Sequence, residues 1–450
     1  MNEIASPSRR EFLKQNGLAG AGLVLGTAGL LRAEELANKP DTLHIAIIGC
    51  GLQGRTLLDA MADIPGIRVR CVCDIWSYNL RKMVEKIRVR QGEQPTAYAD
   101  FEDMLAKEKD LDAAIVTTPD FWHAPHTIAC LESGLHVYCE KMMSNTLEGA
   151  RSMVVAAEKT KRLCQIGHQR RSNPLYRHTA GKLLGEKRIL GQILAVDARW
   201  IRTKTSSSDI AVPAALHLPP DVLKKYGYQD MRRFLNWRWF FDLSGGLISD
   251  LGAHQIDVFN WYLGAVPSRV SATGGKRIFQ DRDHFDQIMT MMEYAQPDGG
   301  VCRVSYQIIC GSSGGGGNHE TFLGSEGTIV ASEDAAKTAI YREADAPFWD
   351  AHVLAGLLTS SVGASGKNSS STGGISAYES ESPEKFMLPV ALETPRHTPH
   401  LVNFFNAIRG NGTLNCDART AFLSEAVIHF INPAASKGEP VNITEKQLSL

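Results

Sequence analysis

The run from Leu43 to Asp74 constrains this chain more than any other part of it. Leu43 to Ile48 is an apolar strand candidate that leads into Gly49, Gly51 and Gly54 at G-x-G-x-x-G spacing. A helix-like stretch follows, and a second apolar run from Ile67 ends on Asp74, twenty positions after the last glycine. The first glycine permits a tight turn, the second lets backbone approach a pyrophosphate, and the third lets the helix pack close to the sheet. The helix opening at Leu52 and Gln53 turns free N–H groups toward a phosphate. Asp74 sits where a carboxylate accepts hydrogen bonds from adenosine ribose hydroxyls and repels a 2′-phosphate, so NAD is favoured over NADP.

With 450 residues, 43% hydrophobic and 22% charged, the chain is long enough for two packed domains and too ordinary for a disordered or fibrous protein. A formal net charge of −1 provides no broad field toward nucleic acid or acidic membranes, which favours a small-molecule partner. The nine cysteines include no C-x-x-C pair. Cys50, Cys71, Cys73, Cys139 and Cys164 fall in or beside strand candidates, where a thiol acts as a small apolar group. Neither a disulfide framework nor a metal site is indicated.

The N-terminus departs from the globular pattern. Ser8-Arg9-Arg10-Glu11-Phe12-Leu13-Lys14 precedes a Gly/Ala/Leu-rich run from Gly17 to Leu31, too short to span a bilayer comfortably. It resembles a twin-arginine export signal, so residues 1–37 are expected to be a leader and the protein periplasmic. If the leader is retained it becomes an anchor, and if it is unused the protein stays in the cytoplasm.

Strand candidates at 43–48, 67–73, 112–117, 135–139 and 163–166, with a short extended piece near Ala97-Tyr98, alternate with helices. That reads as a doubly wound parallel Rossmann sheet over 42–167, with ligands at the carboxyl ends of its strands. Residues 168–450 read as an α+β domain with a large, mostly antiparallel open sheet. Its strands are expected at 190–201, 267–274, 285–295 and 300–310, with two strong helices at 250–262 and 400–409. Gly311 to Gly317 reads as a flexible loop and 359–376 as a mobile Ser/Gly-rich insertion.

Four clusters carry candidate chemistry. Thr117-Thr118-Pro119 leaves the fourth strand toward His123, a cofactor-side loop whose histidine either starts a helix or takes part directly. Glu140-Lys141 ends the next strand, where Lys141 is placed to donate to a substrate oxygen with Glu140 holding its ammonium. Gln165 to Arg171 leaves the last Rossmann strand across the expected cleft. Arg170 and Arg171 there either bind substrate hydroxyls or pair with carboxylates as an interdomain hinge. Finally, Asp250, His254 and Asp257 stand at i, i+4 and i+7 of a helix, a polar stripe among apolar neighbours. A carboxylate one turn from an imidazole fixes its tautomer, and the histidine then takes the proton of an alcohol during oxidation. Trp237 and Arg238 complete the candidate substrate pocket.

These motifs resemble the Gfo/Idh/MocA oxidoreductase family, the relatives of glucose–fructose oxidoreductase and inositol dehydrogenase. The likeness rests on Gly49/Gly51/Gly54, Thr118-Pro119 with His123, Glu140-Lys141, and Asp250 with His254. It implies Lys141 at the nicotinamide and substrate, Asp250 and His254 as an acid–base pair, and a dimer or tetramer. Met142 replaces the family's proline, a position often associated with a cis bond; a cis bond before a non-proline residue costs about 2.5–4 kcal/mol, so a different local backbone is expected there.

The expectation is therefore an NAD-dependent oxidoreductase moving hydride to or from a secondary hydroxyl of a sugar, cyclitol or glycoside. With export, its cofactor would be tightly held and recycled. The rivals are an NAD-dependent glycoside hydrolase using transient oxidation and elimination, and a non-catalytic nucleotide or sugar sensor.

Overall fold

The computed structural model describes residues 42–314, 317–360 and 383–450. The expected leader over 1–37 lies outside these residues, as does the expected insertion from position 361 onward. No described helix is long and apolar enough to cross a membrane.

Short apolar runs form the first sheet because both of its faces are covered, so alternation is unnecessary. Its strands are β1 (Leu43–Ile48), β2 (Ile67–Cys73), β3 (Thr96–Tyr98), β4 (Ala113–Val116), β5 (His136–Cys139) and β6 (Cys164–Ile166). They run parallel in the order β3-β2-β1-β4-β5-β6. Five helices connect them: α1 (Leu52–Ala60), α2 (Ser77–Gln91), α3 (Phe101–Lys107), α4 (Asp120–Glu132) and α5 (Leu147–Thr160). The strand order reverses between β1 and β4, which opens a crevice at their carboxyl ends. The expected strands agree with the observed ones to within a residue, the short piece at 97–98 included.

Part of the Rossmann core comes from the far end of the chain. Leu401, Phe404 and Phe405 pack with Ile45, Ile47, Ile115 and Tyr138, while Ala421 and Phe422 pack with Val137 and Ile166. The helix Thr398–Ile408 was expected; Ala418–Ala426 and Ile428–Lys437 were not. The first of these two buries Ala418, Ala421, Phe422, Ser424, Glu425 and Ala426, and the second carries Pro433 inside it. The first therefore shows no clean one-sided stripe, and the proline inside the second argues against a helix in the sequence although Ile428, Ile431 and Ala434 line one buried face.

The second sheet has ten strands: β7 (Ile193–Arg202), β8 (Arg269–Gly275), β9 (Gln287–Ala295), β10 (Val301–Cys310), β11 (Asn318–Gly324), β12 (Gly327–Ala331), β13 (Ala339–Arg342), β14 (Thr359–Ser360), β15 (Glu384–Met387) and β16 (Val441–Asn442). Their order across the sheet is β14-β15-β13-β12-β11-β7-β10-β9-β8-β16. Every pairing is antiparallel except β10 with β7. Alternation along β10 turns Cys302, Val304, Tyr306, Ile308 and Cys310 inward. They face the helix Ala253–Leu263, whose Phe259 packs edge-on to Tyr306 at 5.7 Å and to Phe322 at 6.4 Å. Burying a side chain of that size contributes about 2–3 kcal/mol. This anchors the helix that carries His254.

Candidate active site

The glycine turn divides its work among three residues. Gly49 has φ +97°, and a Cβ on it would lie 2.7 Å from the Thr117 backbone. A Cβ on Gly54 would lie 2.2 Å from the Gly49 carbonyl oxygen. Packing therefore demands both. A Cβ on Gly51 would meet nothing nearer than Asn79 Nδ2 at 3.9 Å. It would project into open space at the N-terminus of α1, where no side chain caps the helix and the first turn carries no acid. Exposed Leu52 stands beside it. That cradle fits a dinucleotide pyrophosphate: free N–H groups and clear backbone approach.

Thr117 Oγ1 donates to the Gly49 carbonyl at 2.6 Å, tying β4 to the turn. Asp74 accepts from Cys50 N–H at 2.8 Å and from Trp76 N–H at 2.7 Å. Burial outweighs these donors and pushes its carboxyl up to about 6. A segment of the second domain lies against this end of the crevice. Trp76 Nε1 donates to Leu216 O at 2.7 Å, Trp122 Nε1 donates to Tyr226 O at 3.1 Å, and Tyr226 Oη donates to Asp100.

On the other side of the turn, Gln53 Nε2 donates to Glu140 Oε1 at 2.9 Å and lies 3.2 Å from His397 Nε2. Gly167 makes room for Glu140, whose Oε2 would lie 2.7 Å from a Cβ there. Glu140 therefore does not hold the Lys141 ammonium, contrary to expectation. Lys141 Nζ instead donates to the Asp250 backbone carbonyl and lies 3.7 Å from Asp250 Oδ1. The Lys141–Met142 peptide is cis, so methionine in place of proline leaves a cis bond at this position. Thr118 Oγ1 contacts His126 Nδ1 at 3.0 Å, and Pro119 caps α4. His123 is buried with its ring nitrogens against the carbonyl oxygens of Thr118 and Met142. It clasps two loops together and presents neither nitrogen to the crevice.

The expected Asp250–His254 pair is not formed. Ile248–Gly252 winds as a π-helix before the Ala253–Leu263 α-helix, a device frequent at functional sites. Three cations take the Asp250 carboxylate: Arg238 Nε at 2.9 Å, Arg202 at 3.6 Å and Lys141. Burial pushes this carboxyl up, but Arg238, Lys141 and Arg202 prevail and hold it at about 2. His254 Nδ1 is buried with no hydrogen-bond partner among the described residues. Its ring stacks on Trp200 at 6.1 Å. Burial first, then positive charge on Lys141, Arg170, His168 and His397, hold its pKa well below the usual histidine range. The imidazole is neutral at pH 7 and able to accept a proton.

Arg170 and Arg171 take the carboxylate-pairing alternative. Arg170 pairs with Glu320, lies 3.5 Å from Glu333, and sits against the Tyr176 and Trp200 rings. Arg171 grips Asp257 through Nε at 2.9 Å and Nη2 at 2.8 Å, with Ser424 Oγ donating to the same carboxylate at 2.7 Å. All three charged side chains are buried and committed to these ion pairs, with Arg170 Nε left without a hydrogen-bond partner among the described residues. Trp237 and Arg238 remain at the site, the guanidinium lying 4.2 Å over the indole. Sequence reasoning missed Arg202, His397, Glu333 and Glu425. Arg202 had one signal, its place at the end of an expected strand; the others are brought in by distant elements.

A family model described as an oxidoreductase family with an NAD-binding Rossmann fold matches residues 43–168. Its C-terminal alpha/beta domain model matches 221–443. Among curated relatives, a glycosyl hydrolase family 109 protein of Shewanella baltica is 30% identical over 177 residues, covering 35% of this chain and 38% of that protein. One from Saccharopolyspora erythraea matches to the same extent. The chain thus aligns with little more than a third of these relatives' length. Among solved structures, a levoglucosan dehydrogenase in complex with NADH and levoglucosan superposes with TM-score 0.65 at 17% identity, covering 89% of this chain and 99% of that one. The WlbA dehydrogenase of Chromobacterium violaceum, solved with NADH and UDP-GlcNAcA, gives 0.63 at 20% identity over 90% and 97%. At these identities the likeness is one of fold. The two family models together cover most of the chain, and it belongs to the Gfo/Idh/MocA oxidoreductase family.

Proposed function

We propose that this protein transfers hydride between a secondary hydroxyl of a sugar, cyclitol or glycoside and a nicotinamide cofactor. One observation carries the reading: His254, a buried imidazole whose Nδ1 has no hydrogen-bond partner among the described residues, faces Lys141, whose ammonium is held by Asp250. Gly49, Gly51, Gly54 and Asp74 would hold NAD, which when bound supplies the hydride acceptor. His254 takes the hydroxyl proton as the carbinol C–H bond breaks, and Lys141 donates a hydrogen bond to the same oxygen as it becomes a carbonyl. Asp250 orients Lys141 and Arg238 in this scheme. The test is to denature the purified protein, identify released nucleotide, and screen sugars and polyols for its reduction. Full turnover by His254→Ala on an accepted substrate would overturn the assignment.

The reading includes retention of NAD. Export of a folded protein through the leader expected over 1–37 would leave it no free NAD to draw on. The segment at Leu216 and Tyr226 supports retention by covering the Asp74 side. Loss of all nucleotide on native gel filtration would count against it. The glycosyl hydrolase relatives favour a second reading on the same residues. Oxidation at one carbon acidifies its neighbour, elimination expels the aglycone, water adds across the double bond so formed, and re-reduction of the ketone restores the sugar. Nitrophenyl glycosides assayed with and without added NAD separate the two readings.

A further inference from the structure

His168 stands two residues beyond the end of β6 and is buried between the Rossmann sheet, the Ala253–Leu263 helix and the Ala418–Ala426 helix. Its Nε2 lies 2.8 Å from Glu425 Oε1 and its Nδ1 3.8 Å from Asp257 Oδ2. Its ring stands edge-to-face against His254, centroids 6.4 Å apart at 84°. Charge balance decides its state. Asp257 is neutralised by Arg171, but Glu425 is 0% exposed, and its oxygens meet only His168 and the Met143 N–H among the described residues. A buried carboxylate with no cation is costly, so the proton on His168 is what balances it.

We propose that His168 is a positioning residue for His254: protonated, hydrogen-bonded to Glu425 and facing the Asp257 carboxylate, it disfavours a proton on the neighbouring ring and so keeps His254 in its unprotonated, base form to lower pH. The inference rests on His254 being the base. The other groups facing His254 are Lys141, Arg170 and His397, all able to act in the same direction. Those facing His168 are Asp257, Glu425, Arg171 and His400, with the two carboxylates favouring its charge. The direction of the His168 shift agrees: burial disfavours the imidazolium, yet Asp257 and Glu425 raise its pKa above the usual value. Through its other oxygen Glu425 holds the Met143 amide, so the same carboxylate supports the Lys141 turn.

The test pairs His168→Gln with Glu425→Gln. The second keeps an amide oxygen for Met143 N–H while removing the charge that protonates His168, so it stands should the first fail to fold. Two readouts are taken on full-length protein: ring titration of His254 by NMR with nitrogen-labelled histidine, and the pH profile of kcat. Both variants should move the His254 titration and the acid limb of kcat upward by about one pH unit, with KM little changed. A fall in kcat at every pH with the limb and titration unmoved would show a merely structural role and overturn the proposal. So would a wild-type His168 that is neutral at pH 7. Should His254→Ala prove active, the catalytic reading fails, while the NMR titration still reports whether the two rings are coupled.

Discussion

Lys141 reaches 109 positions along the chain to donate to the backbone carbonyl of Asp250, while that residue's carboxylate stands 3.7 Å from the same ammonium. The lysine is thereby held in the crevice with a donor to spare. Lys141→Met should leave the melting temperature within a few degrees of wild type and lower kcat/KM by roughly 10²- to 10⁴-fold. Steady-state kinetics on an accepted polyol check this, and a loss below tenfold would remove Lys141 from the mechanism.

Asp250 is held at about 2, below an unfolded aspartate near 3.9. Its contribution is therefore fully present above pH 4 and lost as pH falls through about 2. Asp250→Asn should cost about 2 kcal/mol at pH 7 and progressively less on acidification toward pH 2. Urea unfolding at pH 7 and pH 3 measures the difference. A penalty unchanged with pH would show that the three cations do not act through its charge.

The glycines separate folding from binding. Gly54→Ala forces a Cβ toward the Gly49 carbonyl and should destabilise the protein by about 2 kcal/mol or more. Gly51→Ala meets open space, so its thermal stability should match wild type while its NAD affinity falls roughly tenfold or more. Calorimetric melting and nucleotide titration of the two variants should show this contrast.

Asp74 titrates near 6, above its unfolded value, so the cost of its buried charge is fully present above pH 6 and absent below about pH 4. Repulsion of a 2′-phosphate should fade over the same window. The preference for NAD over NADP should shrink by up to about tenfold between pH 7.5 and pH 5. In Asp74→Asn it should be small and independent of pH. Dissociation constants for both nucleotides at the two pH values decide it.

Arg171 and Asp257 form a buried bidentate pair. Arg171→Met alone leaves a buried carboxylate and should cost about 3–5 kcal/mol, whereas Arg171→Met with Asp257→Leu should recover part of that loss. Denaturant unfolding of the two variants tests this. Equal stabilities would mean the carboxylate is served by Ser424 and His168 alone.

The parallel sheet was legible because each strand is a short apolar run and each crossover a separate helix, patterns set by neighbours in the chain. The glycine turn was legible for the same reason: Gly49, Gly51, Gly54 and Asp74 act through local backbone geometry. The polar stripe of Asp250, His254 and Asp257 was visible as spacing but misjudged as a unit. Helical spacing shows which residues share a face and not which charges arrive opposite them. Arg238, Arg202 and Lys141 claim Asp250, Arg171 claims Asp257, and His254 is left with a nitrogen that has no partner among the described residues.

The stretch from Leu43 to Asp74 carries the nucleotide turn in its own order of residues, since strand, glycines and acid are neighbours along the backbone. The electrostatics of the acid–base site belong to the folded molecule. Glu425 is 282 positions from the Met143 amide it holds and 257 from His168, and His397 is 344 from Gln53. Charge acts through a few ångströms of low-dielectric space, and only packing places such groups that close.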